Sequence, residues 1–211
     1  MSRKTLKKIV CPYCHESFET TIYESVNVTL DEDDRDKVLS GDIFHQECPH
    51  CHQEYMSQYP CLYHDQDMKF MVYLYDGPID MAAMSAPLLE KGYILRRCRS
   101  IEDFIEKIQI LSDGLDDRIV EFAKYDCFVD HLNNGGDIDQ ITGIHYAGLD
   151  NGILKITIRM DDKGMTMQIP YDALEADIEE HADMFAIEDP AFACIDSAWI
   201  IDIFKEPELL N

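Results

Sequence analysis

The sequence lacks any apolar run that reaches the roughly 18 residues a membrane-spanning helix requires. Its first eight residues are basic, but neither an apolar core nor a small-residue cleavage site follows them, as a signal peptide would need. From these two absences we expect a cytoplasmic protein that does not enter the membrane.

Positive charge is also scarce. The chain has 18 Lys and Arg against 42 Asp and Glu, which gives a net charge of −24. Such a field repels phosphate backbones, so nucleic-acid binding would need a concentrated basic patch. The basic clusters are short: Arg3, Lys4, Lys7 and Lys8 at the start, and Arg96, Arg97 and Arg99 in the middle. We therefore expect no nucleic-acid partner and interpret the acidity as a solvated surface.

Recognisable catalytic motifs are missing as well. The sequence has no nucleophile elbow, phosphate loop, HExxH motif or kinase signature. Asp116, Asp117 and Arg118 could be mistaken for a catalytic set, but acids at the start of a helix are explained by capping and by the helix dipole. We predict no catalytic residue and no small-molecule substrate, and we do not expect an enzyme.

What the sequence does contain is a duplicated cysteine motif. Residues 11–18 and 48–55 both read C-P-x-C-H, then Glu or Gln, then any residue, then an aromatic ring. Two such pairs supply four thiols, the ligand set of a tetrahedral soft-metal site. We predict a zinc site, in which iron could substitute, with the ligands Cys11, Cys14, Cys48 and Cys51. The 33 residues between the pairs exceed the usual roughly 15–20, which an insertion over residues 28–42 would explain.

Four thiolates leave a zinc ion no open coordination position, so we expect a structural site. Two other interpretations of the motif were weighed. C-x-x-C-H is the attachment signature of c-type haem, but haem attachment by that route belongs to exported proteins. C-P-Y-C is also the glutaredoxin motif, in which a helix follows the pair, whereas the residues after Cys14 favour a strand. A thiol redox or zinc-release sensor and a nucleic-acid-binding zinc ribbon stay open as alternatives.

Further cysteines and histidines give weaker signals. Cys61, Cys98, Cys127 and Cys194 occur singly, and we expect buried apolar residues rather than reactive thiols. Five of the histidines lie within residues 15–64, and Cys61 with His64 offers two further ligand types. A pair is not a site, so we interpret these histidines as surface or partly buried side chains, with His15 and His52 as surface residues of the motif or as donors to its thiolates.

The pattern of residues 1–134 predicts a zinc-ribbon-like antiparallel sheet with a helical hairpin. Segments rich in Thr, Ile, Val and aromatic residues predict strands over 5–10, 18–28, 43–47, 53–59 and 68–75. A short helix or ordered excursion is expected over 31–41, and a loop over 76–98 that ends in a strand at 92–97. A capping box at Ser100 and Asp103 and a cap at Asp116 predict two helices, joined by a Ser-Asp-Gly turn and packed on the sheet.

Residues 137–211 predict a second, more acidic α+β module. Asn and Gly residues over 133–137 mark the boundary, and 4 basic residues face 17 acidic ones beyond it. Strands over 141–146, 152–160 and 165–169, separated by hairpin-turn residues at 149–152 and 161–164, predict a three-stranded meander. Asp172 with Glu175 predicts a helix cap, and residues 198–204 form an apolar closing element of either type. The fold class is therefore α+β.

The sequence also resembles the CpXC domain family, which is named for two C-P-x-C motifs, here at residues 11–14 and 48–51. The similarity extends through residues 70–75, 106–108 and 114–118, so it covers roughly residues 7–130. The family is a bacterial and archaeal domain without an established activity. The resemblance therefore implies the paired cysteines and no catalytic residue. Our hypothesis is a zinc-stabilised module that binds a protein partner or itself.

Overall fold

The chain is an α+β protein, as predicted. The computed structural model describes residues 1–78, 81–161 and 163–205, which contain ten strands in three sheets and six α-helices. Parts of the predicted loop, of the second hairpin turn and of the C-terminal module lie outside the described residues, at 79, 80, 162 and 206–211. No helix in the described ranges combines the length and the apolarity needed to cross a membrane. The chain forms two compact units: Met1–Gln109 with Asp189–Ala193, and Ile110–Glu188 with the chain from Cys194 onward.

Seven strands lie in the first unit. They are β1 (Arg3–Val10), β2 (Ser17–Asn27), β3 (His45–Glu47), β4 (Glu54–Met56), β5 (Cys61–Asp65), β6 (Phe70–Leu74) and β7 (Ile94–Cys98). β3 and β4 form a separate two-stranded sheet, and the other five form one sheet in the order β1-β2-β5-β6-β7. β2 pairs with β5, and β6 with β7, in parallel. The predicted antiparallel sheet is therefore wrong: the sheet is mixed, because long connections rather than tight turns join the parallel pairs.

Three helices begin in the first unit: α1 (Asp33–Leu39), α2 (Ala82–Leu89) and α3 (Ile101–Ser112). The capping box before α3 is confirmed, since Ser100 Oγ accepts the Asp103 N–H at 3.0 Å and donates to its carboxylate at 2.7 Å. α2 lies in the stretch predicted as a loop, and Pro87 lies inside it. Leu88 and Leu89 pack on the cluster that contains buried Leu95, and this burial outweighs the helix-breaking tendency of the proline.

The second unit contains the predicted meander. β8 (Ile141–Asp150), β9 (Ile153–Met160) and β10 (Lys163–Pro170) are antiparallel in the order β10-β9-β8. The first hairpin turn follows the expected chemistry, because Asn151 and Gly152 both have positive φ, at 50° and 77°. The helices α4 (Asp117–Asn133), α5 (Tyr171–Glu180) and α6 (Ser197–Phe204) complete this unit, so the apolar closing element is a helix.

The division between the units differs from the predicted boundary at 134–137. α4 packs with the C-terminal sheet: Val120, Ala123 and Cys127 share a buried cluster with Ile156 and Ile158. The division falls after Gln109, within α3, so the predicted helical hairpin does not belong to one unit. Surface charge changes at residue 135, whereas the packing of apolar side chains decides which elements fold together.

Two predicted helix caps have different outcomes. Asp116 caps α4 as predicted, because its side chain accepts the Arg118 N–H at 2.9 Å. Asp172 is not the cap of α5, since Pro170 holds that position and the helix begins at Tyr171. Pro170 is extended and is also the last residue of β10, so α5 begins directly where the strand ends, one residue before Asp172.

Candidate metal centre

The two cysteine pairs lie on turns with the same hydrogen bonds. The first turn joins β1 to β2, and the second joins β3 to β4. The Cys11 N–H donates to the Glu16 carbonyl at 3.0 Å, and the Cys48 N–H donates to the Gln53 carbonyl at 3.0 Å. Within each turn, the N–H of the histidine after the second cysteine donates to the carbonyl of the first cysteine, at 3.0 and 2.9 Å. The sequence repeat is thus a structural repeat.

The histidines of the two motifs share an unusual backbone conformation. His15 and His52 have φ values of 61° and 59°, in the left-handed region that non-glycine residues rarely adopt. This bend directs the next N–H groups at sulfur: Glu16 donates to Cys14, and Gln53 donates to Cys51. Both histidine side chains are exposed. The contribution that the two histidines share is therefore the backbone bend, whereas the His52 ring also lies with its Nδ1 3.3 Å from Glu47 Oε1.

The four thiols of the motifs lie together. All four Sγ atoms are within 4.8 Å of one another, and the Cys11–Cys51 and Cys14–Cys48 separations are 3.7 and 3.6 Å. Four sulfurs at about 2.3 Å from one zinc ion have tetrahedral edges of about 3.8 Å. A disulfide would need about 2.05 Å. The separations fit a single four-coordinate metal ion that links one turn to the other.

The pKa values of the clustered thiols are shifted in different directions. Burial raises the pKa of the Cys11 thiol, but the Cys14 and Tyr13 N–H groups and neighbouring sulfurs lower it more, to about 7. The Glu16 N–H lowers the pKa of Cys14, yet burial and the other three sulfurs together raise it to about 12. The pKa of Cys51 is raised as well. A lowered pKa at Cys11 beside raised pKa values at Cys14 and Cys51 is typical of thiols that share one small site, where a nearby cation would favour the thiolate forms of Cys14 and Cys51.

Side chains outside the motifs hold the second turn against the large sheet. Thr20 Oγ1 on β2 donates to Gln46 Oε1 on β3 at 2.6 Å. Phe44, which precedes β3, is fully buried, with its ring 5.2 Å from that of Tyr59 and 5.9 Å from that of Phe104. The Tyr59 hydroxyl donates to the carbonyl of Ile43. These contacts orient β3 and β4 so that their thiols meet those of the first turn.

One aromatic pair lies beside the thiols. The rings of Tyr13 and Tyr55 meet edge to face at 6.1 Å. The Tyr55 hydroxyl is buried, and it has no hydrogen-bond partner in the part of the chain that the structure describes. Burial, and then the charges of the four cysteines, raise the pKa of Tyr55. Tyr55, the aromatic residue that follows the second C-P-x-C-H motif, thus lies close enough to the four thiols to feel their charge.

The remaining candidates from the sequence do not form a second site. Among residues 1–78, 81–161 and 163–205, the four motif cysteines are the one cluster of three or more potential metal ligands. Cys61 is buried and its pKa is raised to about 12 by that burial, while His64 Nε2 lies 3.4 Å from the Tyr93 hydroxyl. Cys98 and Cys127 are also buried, and Cys194 is partly buried, 3.1 Å from an Asp196 oxygen.

Comparison with known proteins supports the family resemblance. The family model described as CpXC protein matches residues 9–124, more than half of the 211 residues and within the predicted range of 7–130. Comparison with the curated proteins finds no match, and comparison with the solved structures finds none either. The matched range contains both C-P-x-C turns, whose sulfurs the structure brings together. The chain therefore belongs to the CpXC protein family.

Proposed function

We propose that Cys11, Cys14, Cys48 and Cys51 bind a structural zinc ion and that the first unit is a zinc-stabilised protein-interaction module. The observation that carries the proposal is the closeness of the four sulfurs, within 4.8 Å of one another. Four thiolates complete the coordination of zinc and leave no position for water or substrate. In this proposal the β1–β2 and β3–β4 hairpins are the two arms of a zinc ribbon.

A role in folding follows from the size of the second arm. β3 and β4 have three residues each, and an isolated two-stranded hairpin is at best marginally stable in water. Zinc binding contributes roughly 10 kcal/mol or more to folding in small zinc domains. A zinc ion shared by both turns would therefore hold the second hairpin in place.

A role in protein binding is supported by apolar exposure next to the first turn. Leu6, Val10 and Tyr13 are 71%, 60% and 58% exposed, although the turn beside them is ordered by hydrogen bonds. Exposed apolar side chains on an ordered strand and turn are available to an interaction surface. We infer that the partner is a protein or a second copy of the chain.

Metal analysis with paired serine variants tests the structural role. We expect one zinc ion per chain in freshly purified, reduced protein. Cys51→Ser should lose the metal and the hydrogen-exchange protection of β3 and β4. Cys194→Ser, which changes a cysteine outside the cluster, should keep both. Full protection of β3 and β4 after complete zinc removal would refute the structural role.

A redox or zinc-release sensor is the second candidate. It is favoured by the partial exposure of Cys14 and Cys51, next to a Cys11 thiol whose pKa is lowered to about 7. Hydrogen peroxide would take two electrons from two thiolates, so that one disulfide and two hydroxide ions form and zinc leaves. Thiol titration of the zinc-loaded protein separates the candidates. Zinc release at low peroxide supports the sensor, and unreactive thiols support the structural site.

A further inference from the structure

The first strand offers a free edge for pairing. β1 lies at the end of the five-stranded sheet, and among the described residues its strand partner is β2 alone. Its outer backbone N–H and C=O groups therefore point away from the sheet. Leu6 and Val10 stand opposite Thr21 and Ser17 of β2, which are themselves exposed, so neither apolar side chain is covered by the sheet. An edge of this kind is a template for an added strand.

This edge is basic in an acidic protein. The eight residues of β1 hold four of the 18 Lys and Arg and no acid, whereas the chain has a net charge of −24. Two of the four are neutralised locally: Arg3 lies 2.6 Å from Glu24, and Lys4 lies 3.6 Å from Asp34. Lys7 and Lys8 are exposed and make no ion pair within the described residues, although Lys8 stands opposite Glu19 of β2, whereas Lys7 stands opposite the uncharged Thr20. Their charge is available to a partner.

We propose that the free edge of β1 binds an extended acidic segment of a partner protein as an additional strand. The inference rests on the proposed interaction function, and it names the surface and the chemistry of the partner. Side chains alternate along β1, with Leu6, Lys8 and Val10 on one face and Lys7 on the other. A strand that alternates acidic and aliphatic residues would place its carboxylates beside Lys7 on one face and its aliphatic groups beside Leu6 and Val10 on the other.

Other occupants fit this edge less well. Pairing with β1 of a second copy would bring two basic strands together, and like charges directly opposite each other are destabilising. A nucleic acid could contact the two free lysines, but its long phosphate backbone would also meet the field of the −24 charge. A short acidic segment avoids most of that repulsion. It also uses the exposed Leu6 and Val10, which a phosphate backbone does not.

The metal site connects this edge to the rest of the unit. Val10, the last residue of β1, is followed directly by Cys11, whose sulfur lies 3.7 Å from that of Cys51. One end of the strand is thus anchored at the thiol cluster. Pairing with a strand that is already ordered costs less conformational entropy than pairing in which both chains must become ordered.

Fluorescence polarisation with a designed peptide tests the inference on the full-length, zinc-loaded protein. The probe is a labelled ten-residue peptide of alternating Glu and Val. We expect saturable binding at low salt that weakens as salt is added. The same peptide carrying N-methyl groups on two adjacent central residues, which disrupts pairing at both of its edges, should bind at least about tenfold more weakly.

Matched charge variants locate the site. Lys7→Glu with Lys8→Glu should weaken binding at least about tenfold, because the attractive contact at Lys7 becomes repulsive and the positive charge of Lys8 at the same edge is also reversed. Lys91→Glu with Lys163→Glu makes the same charge change at exposed lysines outside β1 and should bind within about twofold of the parent. Zinc content and hydrogen exchange, measured on every variant, show that each one remains folded.

Four outcomes would overturn the inference. They are absence of peptide binding at low salt, equal binding of the N-methylated peptide, equal binding by the Lys7 and Lys8 variant, and tighter binding of single-stranded DNA than of the peptide. Any of these in a protein that holds one zinc ion refutes the edge-strand site and leaves the structural zinc site standing. A zinc-free protein that binds the peptide as tightly would show that zinc does not order β1, and it would leave the edge-strand site standing.

Discussion

The left-handed histidine of the first turn gives a quantitative prediction. A side chain with a Cβ atom costs about 1–2 kcal/mol in this region, with histidine at the low end, and glycine avoids that cost. Glycine in turn loses about 0.5–1 kcal/mol through its freedom in the unfolded chain. His15→Gly at φ 61° should therefore be neutral or stabilising by up to about 1 kcal/mol. His50→Gly, at an exposed histidine without positive φ, should be destabilising by about 0.5–1 kcal/mol.

Both variants replace histidine with glycine, so the difference between their effects on stability isolates the cost of the left-handed backbone at His15. A difference of about 1–2 kcal/mol corresponds to about 5–30-fold in the apparent zinc dissociation constant, if folding of the turn is coupled to metal binding. Competition against a chromophoric zinc chelator measures that constant. His15→Val should weaken zinc binding, since a β-branched residue tolerates this conformation poorly. Equal zinc affinities for His15→Gly and His50→Gly would refute the reasoning.

Two further predictions concern the thiols and the aromatic residues near them. Because the pKa values of Cys14 and Cys51 are raised, zinc must displace at least two protons when it binds at neutral pH. The apparent zinc affinity should therefore fall at least about 100-fold for each unit decrease in pH. Competition titrations at pH 8, 7 and 6 measure this dependence, and a fall of less than tenfold per unit would contradict it. Tyr55→Phe removes a buried hydroxyl that has no partner among the described residues, so the melting temperature should stay unchanged or rise. Tyr59→Phe removes the hydroxyl that donates to the Ile43 carbonyl and should destabilise the fold by about 1 kcal/mol. Equal shifts of the melting temperature for the two variants would contradict these hydrogen-bonding roles.

The metal cluster was the most predictable feature because its signal is local. A C-P-x-C pair places two sulfurs on one turn whatever lies around it, and the repeat at residues 48–51 supplies the complementary half. The structure confirms that the four thiols meet. The left-handed bend at His15 and His52 was not predictable in the same way, because nothing in the residue type requires it, and its consequence, that the Glu16 and Gln53 N–H groups point at sulfur, depends on the folded turn.

Features that depend on distant contacts were harder to predict. The strand alternation of residues 61–65 is too short to stand out, and β5 exists because it pairs with β2 and β6. α2 forms around Pro87 because Leu88 and Leu89 pack on a buried cluster. The assignment of α4 to the second unit depends on apolar residues far along the chain, such as Ile156. In each case tertiary packing decides between local structures of similar energy.

The two cysteine turns belong to different sheets, so a closed metal site would connect those sheets. The first turn joins strands of the five-stranded sheet, and the second joins the two-stranded sheet of β3 and β4. If one ion binds all four sulfurs, it links these two sheets at a point where β1 also ends. In this proposal a closed site at that position would offer no coordination position for a reaction, but it would determine whether the second hairpin and the end of β1 are ordered. Removing the ion should therefore weaken binding of the acidic peptide through loss of order in β1, and the Lys7 and Lys8 variant should weaken it while zinc remains bound.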